Sequence, residues 1–397
     1  MDTGLEIFAW TIVATLALPV MVFAVECLWG VAANSARQPQ ALAPAFAVLM
    51  PAHDEAAGIG ATILAVQAQL RASDRLLVVA DNCSDETAVI ARALGAQVVE
   101  RTSTTDRGKG FALAAGRAAL MIAPPSVVVV LDADCRPESG ALQRLVAEAV
   151  HYDAAVQGCY LLAAEPSAST SSTDAATQLS CFAFAVKNLV RQRGLQRLGI
   201  PALLQGSGMA FPWPMFAAAR LSSANIVEDL ELGLDLVLAG RPVRFLAAAG
   251  FTSAASTRDA TIAQRTRWEH GSMGTAWRFA PTLLAAGLRG GRPALGLLAL
   301  DLLIPPLALL TLLQVVALAV QAGLTLFAGE SAPLLAQTGI MAVFAAAVAL
   351  AWHFAGRAIL LPGTLLQIPS YVVWKLPIYW RLLVDRERNW IRTRRDA

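Results

Sequence analysis

Gln264-Arg265-Thr266-Arg267-Trp268 lies downstream of Glu228-Asp229, which lies downstream of Asp132-Ala133-Asp134. Two aspartates with one residue between them can hold a divalent cation, a lone carboxylate can take a proton, and two arginines around a threonine can hold a departing diphosphate. These are the parts needed to move a sugar off a nucleoside diphosphate, and their order along the chain weighs more than any one of them.

Each part also has a plainer reading. Asp132 and Asp134 alternate at the end of a Val-rich strand, so both side chains point to one face, within reach of one cation; aspartate also simply ends strands and starts turns. Their oxygen ligands call for Mg²⁺ or Mn²⁺ rather than zinc. Asp81-Asn82-Cys83-Ser84-Asp85 follows an apolar run, and its acceptors suit a nucleobase, whereas Asp85 and Glu86 read as first-turn acids of a following helix. Arg107-Gly108-Lys109-Gly110 opens a helix whose N-terminus can take phosphate, or is an ordinary glycine loop with a solvated lysine. Asp229 is either a general base or one of several acids, with Glu228, Glu231 and Asp235, on a solvated helix face. Arginines 265 and 267 fit a diphosphate with bidentate geometry and Trp268 fits a sugar face; the alternative is a basic-aromatic anchor beside a membrane.

Short apolar strands and helices alternate around these residues. Strands are predicted at Phe46 to Met50, Leu76 to Ala80, Gln97 to Glu100, Val127 to Leu131 and Ala155 to Gln157. Helices are predicted at Ile59 to Leu70, Thr87 to Leu94, Gly110 to Met121 and Leu142 to His151. That alternation predicts a parallel, doubly wound α/β sheet, whose ligands bind beyond the carboxyl ends of the strands, where the polar clusters fall. Farther on, helices are predicted at Phe182 to Arg193 and Val227 to Ala239, and Pro201 to Pro214 reads as a loop against lipid or an acceptor.

A hydrophobic content of 56% and a mean hydropathy of +0.55 over 397 residues are too apolar for an ordinary soluble enzyme. Ile7 to Val25, Ala294 to Ala328 with a kink at Pro305-Pro306, and Ser331 to Trp352 are the spanning candidates. Asp2 and Glu6, with no Lys or Arg beside them, make the first an anchor rather than a cleaved signal. Ala358 to Trp374 has positive residues at both ends and reads as interfacial or re-entrant, with Tyr371, Trp374, Tyr379 and Trp380 at headgroup depth. Arg37, Arg289, Arg292 and Arg357 at one end of the spans place the intervening domain in the cytoplasm of an integral inner-membrane protein. Expected boundaries are an anchor at 1–36, a cytoplasmic domain at 37–292, spanning helices at 293–356, and an interfacial segment with a basic tail at 357–397. A net charge of +2 says little, the run Arg386 to Arg395 reads as a solvated or lipid-facing tail, and no nucleic-acid partner is expected; scattered cysteines and histidines predict neither a disulfide framework nor a zinc site.

Pro51-Ala52-His53-Asp54-Glu55, Asp81 to Asp85, Lys109, Asp132-Ala133-Asp134, Gly206-Ser207-Gly208, Glu228-Asp229 and Gln264 to Trp268 together resemble, in order, the membrane-bound inverting family 2 glycosyltransferases, which include cellulose and hyaluronan synthases and bacterial exopolysaccharide transferases. The resemblance implies a GT-A, Rossmann-like cytoplasmic domain with flanking transmembrane and interfacial helices. It implies a nucleotide-sugar donor held by Asp54, Glu55, Asp81, Lys109 and Asp132, and a Mg²⁺ or Mn²⁺ ion held by Asp134 and Asp132. Asp229 would be the base, Arg265 and Arg267 would stabilise the leaving diphosphate, and Trp268, Gly206 and Ser207 would meet the acceptor. Few spans favour single transfer, from a UDP-sugar by family expectation, to a lipid-linked saccharide in exopolysaccharide or envelope-glycan assembly, with polysaccharide assembly proteins as partners. A processive synthase and a non-catalytic nucleotide-sugar sensor are the alternatives.

Overall fold

A computed structural model describes residues 3–32, 43–163, 175–221, 227–255 and 258–384. The basic run Arg386 to Arg395, Arg37 and Asp2 lie outside the described residues. The described residues pack as two units, one made of residues 43–163, 201–221, 227–255 and 258–275, the other of residues 3–32, 175–200 and 276–384.

The first unit is built on an eight-stranded sheet: β1 (Phe46–Ala52), β2 (Arg75–Asp81), β3 (Gln97–Arg101), β4 (Val127–Val130), β5 (Cys135–Pro137), β6 (Ala155–Ala163), β7 (Met209–Pro212) and β8 (Val243–Ala254). Their order is β3-β2-β1-β4-β7-β6-β8-β5. Strands β1 to β4 pair in parallel, with Val48 beside both Leu76 and Val129. The four valines of β4 are fully buried, as expected of a strand covered on both faces. Helices Ile59–Gln67, Thr87–Ala93, Lys109–Leu120 and Ala141–Tyr152 alternate with these strands.

The sheet departs from a wholly parallel one at its centre. Strand β7 inserts antiparallel between β4 and β6, pairing Val129 with Ala210 and Val156 also with Ala210. It comes from the Gly/Pro-rich segment expected to be a loop. Met209-Ala210-Phe211-Pro212 is an uncharged, fully buried run, so its backbone groups need the ladder once water is excluded. Strands β5 and β8, also unforeseen, pair antiparallel, while β8 pairs parallel with β6. Because β6 and β8 run with β4, the carboxyl ends of β1, β2, β3, β4, β6 and β8 share one edge with the start of β7.

The second unit is helical. Thr3–Val31, Leu307–Ala328 and Ala332–Gly356 are long and apolar enough to cross a membrane. The predicted second span is broken rather than kinked, since Pro305-Pro306 separates helix Pro293–Leu302 from Leu307–Ala328. Helix Ala175–Ala185 continues through a π-helical turn, Val186–Arg191, into Gln192–Arg197. A Cβ on Gly194 would lie 2.2 Å from the Glu26 carbonyl oxygen, so only glycine permits this crossing with the first helix. Arg191 Nε donates to Glu26 at 2.7 Å and its Nη2 to Asp301 at 2.5 Å, inside a cluster where both carboxylates are at most 2% exposed. The expected interfacial segment is a 3₁₀ turn, Pro362–Gln367, followed by helix Ile368–Val384. There Tyr371 stacks on Trp374 with centroids 5.8 Å apart, and Tyr371 and Tyr379 are buried while Trp380 is exposed.

Candidate active site

The shared edge of the sheet gathers the loops that carry the polar motifs. After β1 the chain turns at Asp54, whose φ of 51° is left-handed and whose Oδ1 accepts the Ser84 N–H at 2.6 Å. The Glu55 N–H donates to Thr87 Oγ1 at 2.8 Å and the Ala56 N–H to Asp85 Oδ2 at 3.0 Å. Asp85 Oδ1 accepts the Thr87 N–H at 3.0 Å, the side-chain turn that starts the following helix. These bonds fix the loop after β1 to the loop after β2.

Asp81, the last residue of β2, is 6% exposed, and its Oδ1 accepts from Arg101 Nη1 at 2.6 Å and from Asn82 Nδ2 at 3.2 Å. Arg101, at the end of β3, also lies 5.5 Å from the Phe111 ring centroid. Motif reading passed over this arginine, because nothing in the local sequence links it to an aspartate on the neighbouring strand. The pairing register, Asp81 opposite Arg101, makes that link.

A second group surrounds Lys109, the first residue of its helix. Its Nζ sits 2.5 Å from Asp132 Oδ1 and donates to the Gly206 carbonyl at 2.6 Å. Gly206 has a φ of 89°, and a Cβ there would meet Asp229 Oδ2 at 3.1 Å and Lys109 Nζ at 3.4 Å. Glycine is therefore required twice over, by backbone conformation and by the closeness of the carboxylate. Glu228 and Asp229 open helix Glu228–Leu238 and line a small cavity with Lys109, Leu113, Met209 and Arg220. Ser207, expected at the acceptor, is fully buried, and its hydroxyl accepts the Asp132 N–H at 3.0 Å.

Charge is balanced closely in this group. Burial works against the Lys109 ammonium, but Asp132, Glu228 and Asp229 outweigh it and hold the lysine charged well above its usual range. Burial and the neighbouring Asp229 push the Glu228 carboxyl up to about 8, against the pull of Lys109. The fields of Asp134 and Asp132 meet at two buried groups: burial first, and then these aspartates, raise the Cys135 thiol and the Tyr160 phenol. Carboxylates such as those of Asp132 and Asp134 are hard oxygen donors, the type that suits a Mg²⁺ or Mn²⁺ ion accompanied by phosphate oxygens, and Lys109 is already seated on Asp132.

Arg265, Thr266, Arg267 and Trp268 lie in helix Arg258–Arg289, which follows β8 from the same edge. Arg265 is 8% exposed and its Nε has no hydrogen-bond partner among the described residues, an unusual state for a guanidinium. Arg267 and Trp268 are half-buried; the side chain of Gln264 lies outside the described residues.

Residues 44–271 match the family described as Glycosyltransferase like family 2. The chain belongs to that family. Uncharacterized glycosyltransferases of Mycobacterium bovis and Mycobacterium tuberculosis are each 38% identical to this family 2 chain over 104 residues, 26% of this chain and 43% of theirs. The chain thus spans under half the length of these curated relatives. A mannosyltransferase from Pyrobaculum calidifontis, solved in complex with GDP-Man and Mn²⁺, superposes with a TM-score of 0.58 over 96% of this chain and all of that one, at 19% identity. At that identity the likeness is one of fold, and it agrees with the GT-A type of sheet described above.

Proposed function

We propose that this family 2 chain transfers a sugar, with inversion, from a nucleoside diphosphate sugar to a lipid-linked saccharide at the cytoplasmic face of a bacterial inner membrane, in exopolysaccharide or envelope-glycan assembly. The observation that carries the chemistry is the loop at Gly206. One glycine lies against the candidate base, Asp229, while its carbonyl holds the candidate phosphate cation, Lys109, which in turn holds the candidate metal ligand, Asp132.

In this mechanism the Asp229 carboxylate takes the proton of the acceptor hydroxyl as that oxygen attacks the anomeric carbon. The bond from that carbon to the diphosphate oxygen breaks on the opposite face, its electron pair leaves with the diphosphate, and configuration inverts. Lys109, Arg265 and Arg267 meet the charge that develops on the leaving group. Asp132 and Asp134 would hold Mg²⁺ or Mn²⁺, the ion class of the Pyrobaculum neighbour, supplying charge neutralisation for the diphosphate. Asp54, Glu55 and Asp81 serve the nucleoside, Trp268 serves the acceptor, and Ser207 acts through the backbone of Asp132.

The test is mass spectrometry of products from the purified protein in lipid, given a divalent cation, a panel of nucleotide sugars and an envelope lipid extract. One added hexose on a lipid, abolished by chelation, is the expected result. A ladder of growing chains would make the protein a processive synthase, and nucleotide binding without product under any condition would overturn the catalytic reading.

A further inference from the structure

Gln157 lies near the start of β6, fully buried in the uncharged run Ala155-Val156-Gln157-Gly158-Cys159. A primary amide there is costly to bury unless every group is bonded, and here all three bonds are made. Nε2 donates to the Ser207 carbonyl at 2.8 Å and to the Gly158 carbonyl at 2.9 Å, and Oε1 accepts the Gln205 N–H at 2.8 Å. The orientation follows from the partners, because a flipped amide would set its oxygen against two carbonyls and its NH₂ against an N–H.

These bonds fall on either side of Gly206. The peptide before Gln205 and the peptide after Ser207 are pinned by one side chain, while the Gly158 N–H fixes the Gly208 carbonyl at 2.8 Å. Between the pins are the two groups that reach the chemistry: the Gly206 carbonyl on Lys109 and the Ser207 hydroxyl on the Asp132 N–H. A left-handed glycine has several accessible conformations, and the pins select one of them.

We propose that Gln157 is a positioning residue for transfer: it touches no substrate, and by clamping Gln205 to Ser207 it sets Lys109 and Asp132 in register with Asp229. The inference rests on the proposed transfer reaction for its kinetic consequence but not for its structural one, so the two can fail separately.

Two variants separate the parts of the clamp. Gln157→Glu keeps an acceptor for the Gln205 N–H and loses the donors to Ser207 and Gly158; Gln157→Leu loses all three bonds at similar volume. Hydrogen exchange of the full-length protein in detergent reads the loop directly. Amides in the peptide covering residues 203–209, and that of Asp132, should exchange at least roughly tenfold faster in Gln157→Leu, in line with the worth of one or two buried hydrogen bonds. The flanking strands β1 and β2 should keep wild-type protection, and Gln157→Glu should retain protection at Gln205 alone. With Mn²⁺ and nucleoside diphosphate as the probe, calorimetric affinity should fall about tenfold in Gln157→Leu, and kcat should fall further than KM rises. Unchanged exchange at residues 203–209, or loss of protection spread evenly over the sheet, would overturn the clamp. If wild type transfers no sugar, the proposed function fails while the exchange and affinity measurements still judge Gln157.

Discussion

At the scale of single residues the site is an arrangement of charge. Asp229 lies beside the peptide that holds Lys109, so the proposed proton acceptor and the proposed phosphate cation line one small cavity. Asp229→Asn keeps the shape and removes the proposed base. Transfer should fall by roughly 10²- to 10⁴-fold, the usual worth of general base catalysis, while calorimetry finds nucleotide and metal affinity nearly unchanged. Full turnover in that variant would remove Asp229 from the mechanism. Glu228 makes a separate prediction about stability. Its carboxyl stands at about 8 in the folded protein against an ordinary 4.5, so the native state keeps a proton that the unfolded chain releases across that interval. The stabilisation from that proton is complete below pH 4.5 and is lost as pH rises through about 8. Thermal melts of metal-free protein should therefore show a midpoint falling over that window, and Glu228→Gln should flatten the fall. A wild-type slope surviving in Glu228→Gln would assign the proton to another group.

At the scale of elements, what could be read from the sequence was what the chain states locally. The runs Phe46 to Met50, Leu76 to Ala80 and Val127 to Leu131 announced β1, β2 and β4 because a strand buried on both faces has little use for polar residues. Strand β7 was hidden by its own flanks, since Gly206, Gly208 and Pro212 are loop signals, and only pairing with β4 and β6 makes a strand of the residues among them. The candidate site was legible as residue types, Lys109, Asp132 and Asp229, but not as a constellation, because their meeting point is a carbonyl at the head of that strand. Arg101, Gln157 and the π-helical turn carrying Arg191 act through partners distant in sequence, which no local pattern reports. That turn supports an element-scale prediction. Arg191 ties helix Thr3–Val31 to helix Pro293–Leu302 through Glu26 and Asp301, and removing it strands two buried carboxylates. Arg191→Leu should cost about 3–5 kcal/mol, the penalty for breaking a buried ion cluster from one side. Adding Glu26→Leu and Asp301→Leu should recover most of that loss. Size-exclusion profiles after heating in detergent would measure both, and a stable single variant would show the cluster to be solvated.

At the scale of the whole molecule, the spans decide on which side of a membrane each segment lies. Leu307–Ala328 and Ala332–Gly356 are separated only by the turn around Glu330, too short to do anything but reverse the chain. If each of the long apolar helices crosses once, this pair returns the chain to the side it left. Residues 43–302 and 357–384 then share one side, and Glu330 faces the other. The proposed cytoplasmic placement of the first side rests on arginines 289, 292 and 357 beside the spans, since positive residues tend to be retained there, whereas Glu330 carries little weight in orientation. A nucleotide-sugar donor, made in the cytoplasm, would meet the loop at Gly206 without crossing the bilayer. Cysteine accessibility tests this in intact cells with a membrane-impermeant maleimide, in a background where exposed native thiols are replaced. Glu330→Cys should label at once, and Met121→Cys, on an exposed surface of the sheet unit, should label only after permeabilisation. Labelling of both in intact cells would mean that one of the apolar helices does not span. Labelling of Met121→Cys alone would invert the protein and deprive the proposed transfer of its donor.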